Sequence, residues 1–430
     1  MDGAAARPVI GLFGGFDTGD LGEVALRRVM ERELRRRRPD IDLIAMAPFG
    51  AERPIPGDEG RPARAVPRTV AAEGLGIDAL IITGDVIAGD GEWAARYEVA
   101  PDVITERGIA ALALQGIRGG VPAASQVIWF GVGGSDDSDV DIRGLMGRDV
   151  WVRNGAIEER LGGTAAQSGD PVLLASRVFG VDALRRRADL LRMCGALPAG
   201  PRLVVEVARA IEPSPMREQL VDGLRGALRS DPKLSLVVLS LDPTRHAPET
   251  LLHIEGLIAE RVHHFPQWAG LDDVAAAMSG AAAVVAATSA GGHLAASFGT
   301  PVAVFGSGAG ARSAPGIPLL TSDVAAGIAA LLAGGSPADL GKALNTLDAA
   351  FTELGERLPR VAGMTAANRP PDPVESAIAI LQQRLVDERT ALQAELSRLQ
   401  AELEHLQASP EHRIARPIRE GYQRWQRRRT

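Results

Sequence analysis

The sequence predicts an α/β protein of two doubly wound, parallel-sheet domains followed by a helical, coiled-coil tail. Three observations predict it. Short apolar runs alternate with segments of helical period from residue 8 to about residue 306. Several of those runs are apolar throughout, as strands buried on both faces of a parallel sheet must be. Beyond a Pro cluster (ANRPPDPVE) the pattern changes to leucines stepped mostly by three and four.

The first series opens with PVIGLFGG (8–15), a buried strand ending in a Gly turn. A helix is expected over 21–38. Leu21, Val24, Ala25, Val29 and Leu34 fall near one face, Arg35–Arg38 suit a helix C-terminus, and Pro39 stops it. Strands follow at 41–48, 78–85, 125–134 and 149–154, with a short helix (AIEERLGG) after the last. The second series has strands at 201–208, 234–241, VHHF, 281–288 and 301–306. Its helices are expected at 214–229, 248–260, 271–279 and 291–298. Strand–helix alternation of this kind makes Rossmann-like sheets, with a ligand cleft at the carboxyl ends of the strands. The expected boundaries are 1–180 for the first domain and 198–335 for the second. A helix and Pro-rich linker take 336–373, a coiled coil 374–408 and a basic tail 409–430.

Composition narrows the function classes. The 430 residues include 46% hydrophobic ones, enough for two cores, yet no run is long enough to cross a bilayer. MDGAAARPVI lacks the charged and apolar regions of a secretory signal, and a cytoplasmic location is expected. A net charge of −7 argues against nucleic-acid binding. The one cysteine, Cys194, rules out an intrachain disulfide framework, and in LLRMCGAL it reads as a small core residue. No metal site and no cofactor are expected. His263-His264 have no third ligand nearby, and Asp136, Asp137, Asp139 and Asp141 lack calcium-loop spacing.

The tail has its own chemistry. Ile378, Leu381, Leu385, Leu392, Leu396, Leu399, Leu403 and Leu406 form a seam for pairing with a second copy. Ile414, Ile418, Tyr422 and Trp425 lie among arginines, a pattern suited either to anionic lipid at the inner face of the plasma membrane or to water.

Four stretches carry candidate chemistry. GLFGGFDTGDLGEVAL (11–26) takes a strand through a Gly-rich turn into a helix N-terminus, which offers free N–H groups to an anion. It contains neither GK[ST] nor GxGxxG. The other three are IITGDVIAGD (81–90), VWVRNGAIEERLGG…GDPVLL (150–174) and VVAATSAGGHLAASFGTPVAVFG (284–306). In this order, over about residues 8–310, they resemble the motifs of the polysaccharide pyruvyl transferase family. Gly19, Asp20, Leu21, Gly22 and Glu23 take the positions of the family's G-N-x-G-D/E, with Asp20 for the usual Asn. Gly84, Asp85 and Arg153 match, whereas Asn154 stands for the usual Asp. The family histidine would fall on Gly291, two residues before His293.

That resemblance implies a GT-B-like pair of domains. It also implies transfer of a pyruvyl group from phosphoenolpyruvate to a saccharide acceptor of a cell-surface polysaccharide. It assigns His293 as the acid, Asp20 and Glu23 to the sugar hydroxyls, and Arg153 to an anion. Gly19, Gly22, Gly84, Asp85, Ser289, Gly291 and Gly292 would line the substrate site. Arg153 could instead pair on the surface with Asp149 or Glu158. The stretch SAGGHLAASFGTP is equally similar to the D-S-G-x-x-H-L-A-A-x-L-G-T-P motif of heptosyltransferase-like GT-B glycosyltransferases, and here His293 keeps register. A nucleotide-sugar donor is therefore the alternative, and a non-catalytic scaffold of this fold is the third reading.

Overall fold

The computed structural model describes residues 7–360, apart from 51–62, 67–74, 135–139, 146–147, 154, 208–213, 242–260, 267–268, 306–315 and 322. The expected coiled coil and basic tail, the 248–260 helix and Asp136, Asp137 and Asp139 lie outside the described residues.

The first sheet takes β1 (Val9–Phe13), β2 (Asp42–Ala47), β3 (Arg64–Ala65) and β4 (Ala79–Ile87). A separate hairpin, β5 (Ile117–Arg118) and β6 (Val121–Pro122), precedes β7 (Gln126–Gly134), β8 (Val150–Val152) and β9 (Ala166–Gln167). Seven strands align in the order β3-β2-β1-β4-β7-β8-β9, all parallel. The second sheet comprises β10 (Arg202–Glu206), β11 (Ser235–Leu239), β12 (Val262–His264), β13 (Ala283–Ala286), β14 (Val302–Phe305) and β15 (Leu319–Leu320). Its order is β12-β11-β10-β13-β14-β15, again all parallel. In each sheet the first strand of the series (β1, β10) lies inside, so the winding reverses beside it. At such a reversal the connecting loops diverge and leave a crevice at the strands' carboxyl ends.

The inner layers of the two sheets share one apolar core. It joins Leu12 and Val24 of the first domain to Val204, Val284 and Leu294 of the second. Separate cores cover the outer face of each sheet. A backbone bond from Leu21 N–H to the Leu241 carbonyl (2.7 Å) ties the first helix, Leu21–Arg37, to the second series. Arg28 pairs with Asp272 at 3.0 Å across the same seam.

The helix Gly341–Arg357 follows the second series in sequence but packs on the first sheet's side. Phe351 meets Phe130 with ring centroids 4.7 Å apart, and Arg38 donates to the Gly355 carbonyl at 2.9 Å. Asp348 gathers Arg37 and Arg177, each at 2.7 Å.

Cys194 corrects one expectation, because it is exposed. It caps the helix Val181–Met193, whose buried stripe is Leu184, Ala188 and Leu191. The chain then folds back through Gly195, so Ala196 and Leu197 N–H both bond to the Leu191 carbonyl, at 2.8 and 3.1 Å. Those two apolar residues fill the core space that Cys194 was expected to take.

Candidate active site

The turn after β1 is built around two aspartates with different duties. Asp20 caps the first helix, its Oδ1 accepting from Gly22 N–H at 2.6 Å. A carboxylate there satisfies a free N–H and faces the positive end of the helix dipole. Asp17 is buried and accepts from Phe49 N–H at 2.7 Å, from Gly50 N–H and from the Tyr97 hydroxyl. Burial raises its pKa against those bonds. Asp17 thereby clamps the β1 turn to the β2 turn. Nothing in its sequence setting separates it from any other turn aspartate.

One turn into the helix, Glu23 points toward the ends of β4 and β8. Its Oε1 accepts from Asp85 N–H at 3.2 Å and lies 3.9 Å from Arg153 Nη2. Gly84 has φ of +92°, and a Cβ there would collide with Glu23 Oε2, so both its conformation and its bareness are needed. Burial pushes Glu23 up to about 7; Arg153 opposes the shift, and Asp85 and Asp20 add to it.

Arg153 follows β8 and is largely buried. Its Nε donates to the Gly131 carbonyl at 2.6 Å, and its Nη1 lies 3.4 Å from Asp85 and 3.5 Å from Asp170. The surface pairs that the sequence offered as the alternative do not form. Asp149 is taken by Arg357, and Glu158 by the Gln167 amide. Burial alone would lower the Arg153 pKa, but Asp170, Asp85 and Glu23 outweigh it and hold the guanidinium charged.

Asp170 is the hub. Its Oδ1 accepts from Val172 N–H at 2.9 Å, capping the turn Pro171–Arg177. Its Oδ2 lies 2.9 Å from His293 Nδ1, across the seam from the second domain. Burial would raise the Asp170 pKa, yet Arg153 and then His293 hold it far below the usual carboxylate range. The sequence signal was a Gly-Asp-Pro step, an aspartate set to cap a turn that proline opens.

His293 sits on the helix Ser289–Ser297, whose N-cap is Thr288. The helix begins two residues earlier than expected, because Thr288 Oγ1 accepts from Gly291 N–H at 3.0 Å. Beneath that tip lies Glu206, at the end of β10, only 1% exposed. It accepts from Thr288 Oγ1 at 2.7 Å and from Thr288 N–H at 3.1 Å. Burial pushes its pKa up to about 7, which the Thr288 bonds only partly offset. Gly291 must be glycine, since a Cβ would run into Glu206. Gly292 backs onto Val304, and the Cβ of Ala290 would stand 2.8 Å from a Cβ on Gly22. The two helix tips therefore meet at the seam.

Of the residues expected at the site, Glu23, Gly84, Asp85, Arg153 and His293 converge, with Asp170 joining them. Gly19 and Asp20 shape the first turn; Gly22, Ser289, Gly291 and Gly292 belong to the helix tips. Glu206 and Asp170 were missed as side chains. His263 and His264 lie on the edge strand β12, and among the described residues no three metal-ligating side chains form a cluster.

No family model and no curated protein matches the chain. Among solved structures it is similar to the UDP-GlcNAc 2-epimerase of Neisseria meningitidis bound to UDP-GlcNAc. The identity is 13% over 81% of this chain and 98% of that one, with a TM-score of 0.47. It is also similar to a glycosyltransferase from Rickettsia africae (10%, 82% and 96%, 0.47). A third is the ADP-heptose LPS heptosyltransferase II of E. coli (14%, 81% and 99%, 0.39). At these identities and scores none of their activities carries over. The two facing parallel sheets make the fold GT-B-like, and among the described residues no helix is long and apolar enough to cross a membrane.

Proposed function

We propose that this chain transfers a sugar from a nucleotide-diphosphate-sugar donor to a hydroxyl of a saccharide acceptor. One observation carries the reading. Glu23 Oε2 and Arg153 Nη2 are buried in one cluster, where the two side chains approach to 3.9 Å, and neither atom has a hydrogen-bond partner among the described residues. Arg153 can only donate and an ionised Glu23 only accept. A hydroxyl does both, so one sugar hydroxyl satisfies the two atoms together. Glu23, balanced near neutrality, then accepts that hydroxyl's proton as it attacks the donor. His293, oriented by Asp170, serves as the second acid–base group. The N-terminus of Ser289–Ser297, through its dipole, favours the donor's phosphates.

Pyruvyl transfer from phosphoenolpyruvate is the second reading, favoured by the order of the four motifs and by the place of Arg153 among the converging groups. Against it stands the charge balance. Arg153 already faces Glu23, Asp85 and Asp170. A small phosphate-carboxylate would meet those acids with no second cation beside Arg153 among the described residues. The tail completes the proposal on its sequence pattern alone. Residues 374–408 pair two copies, and residues 409–430 rest on anionic lipid at the cytoplasmic face.

The test is to incubate the protein with UDP-, ADP- and GDP-sugars, or with phosphoenolpyruvate, and follow both thermal midpoint and phosphate or nucleotide release. A shift and nucleoside-diphosphate release with one nucleotide sugar are expected. A response to phosphoenolpyruvate alone would install the second reading, and no response to any donor would leave a scaffold.

A further inference from the structure

Arg118, on the β5–β6 hairpin, takes no part in the proposed reaction. It is 3% exposed, and its Nε donates to the Arg107 carbonyl. Its Nη1 and Nη2 are both buried and have no hydrogen-bond partner among the described residues. Arg107, also buried, donates to the Pro48 carbonyl at 2.7 Å and lies 4.3 Å over the Phe49 ring. Among the described residues no carboxylate pairs with Arg118. Burial first, and the neighbouring Arg107 charge second, push its pKa down.

This inverts the treatment of Arg153. There three acids surround one guanidinium; here one guanidinium is buried beside another. A buried cation left with open donors is costly and calls for an anion. The paired terminal nitrogens of arginine match two oxygens of a carboxylate or phosphate. The hairpin turn next to Arg118 is open. Gly119 and Gly120 carry no side chains, and nothing stands within 4 Å of where their Cβ atoms would be.

We propose that Arg118, with Arg107 reinforcing the field, forms a binding site for a small oxyanion, a carboxylate or phosphate group borne by a ligand. This site is independent of the proposed sugar transfer. Its anchor, the Pro48–Phe49 turn, is the one that Asp17 bonds to the β1 turn.

The experiment is thermal unfolding of the full chain, and of Arg118→Met and Arg118→Lys, in sodium phosphate, sodium acetate or ionic-strength-matched sodium chloride. Phosphate or acetate should raise the wild-type midpoint by a few degrees. The effective salt then tells a phosphate-bearing from a carboxylate-bearing ligand. Arg118→Met should lose the response yet unfold, in chloride, no lower than the wild type, because it removes an uncompensated charge. Arg118→Lys keeps the charge without the fork and should keep less than half of the response. The proposal is overturned if the wild type does not respond, if either variant responds as fully as the wild type, or if Arg118→Met unfolds well below the wild type in chloride.

Discussion

The two helix tips that meet at the seam carry buried glutamates of nearly equal acidity and opposite satisfaction. Glu206, under the tip of Ser289–Ser297, has a bond for each oxygen, both from Thr288. Glu23, in the first turn of Leu21–Arg37, leaves Oε2 open beside the open Nη2 of Arg153. Burial pushes both up to about 7. The two glutamates thus share a shifted pKa and differ in how their oxygens are bonded.

The largest effect should come from removing what joins the two tips. Asp170→Ala strips the shared anion from Arg153 and His293, and breaking a buried pair in this way costs about 3–5 kcal/mol. Urea unfolding measures it. A loss under about 1 kcal/mol would mean that the tips are held by packing alone.

Next comes pH. Glu206 holds its proton more tightly folded than unfolded, so its contribution is complete below about pH 4.5 and disappears as pH rises through about 7. The difference is worth about 3 kcal/mol. Stability should therefore fall between about pH 4.5 and pH 7, and Glu206→Gln should flatten about half of that fall, Glu23 keeping its own share. An unchanged slope in the variant would remove Glu206 from the account. Gly291→Ala is expected to cost about 1–3 kcal/mol, since its Cβ must displace the Glu206 carboxylate. Equal stability by thermal melting would show that the tip yields.

The smallest stability change should come from Glu23→Gln, within about 1 kcal/mol, because the amide oxygen keeps the Asp85 bond while Asp85 and Asp170 still face Arg153. A larger loss in urea unfolding would class Glu23 with Glu206, as a structural acid.

The same contrast explains what was legible beforehand. Apolar runs placed the long strands to within a few residues, because a strand buried on both faces leaves little room for polar residues. The two-residue strands β3, β9 and β15 are too short to form a pattern. Glu23, Arg153 and His293 stood out in the sequence because each lies close to glycines where a strand gives way to a helix. Glu206 was readable in principle as the lone acid in PRLVVEVA, and only the fold shows that Thr288 completes it. Asp170 and His293 are 123 residues apart, so their contact exists only once the sheets face one another. Cys194 was misread because periodicity cannot show where a chain turns back.

The most direct measurement is calorimetric titration of the nucleotide sugar that gives the strongest thermal shift into the wild type, Glu23→Ala and Glu206→Gln at one pH near 8, where Glu23 is ionised. Glu206→Gln is expected to bind like the wild type, and Glu23→Ala at least about 10-fold more weakly, the loss of a hydrogen bond to a charged group. Equal affinity in Glu23→Ala, or an equal loss in Glu206→Gln, would contradict that expectation.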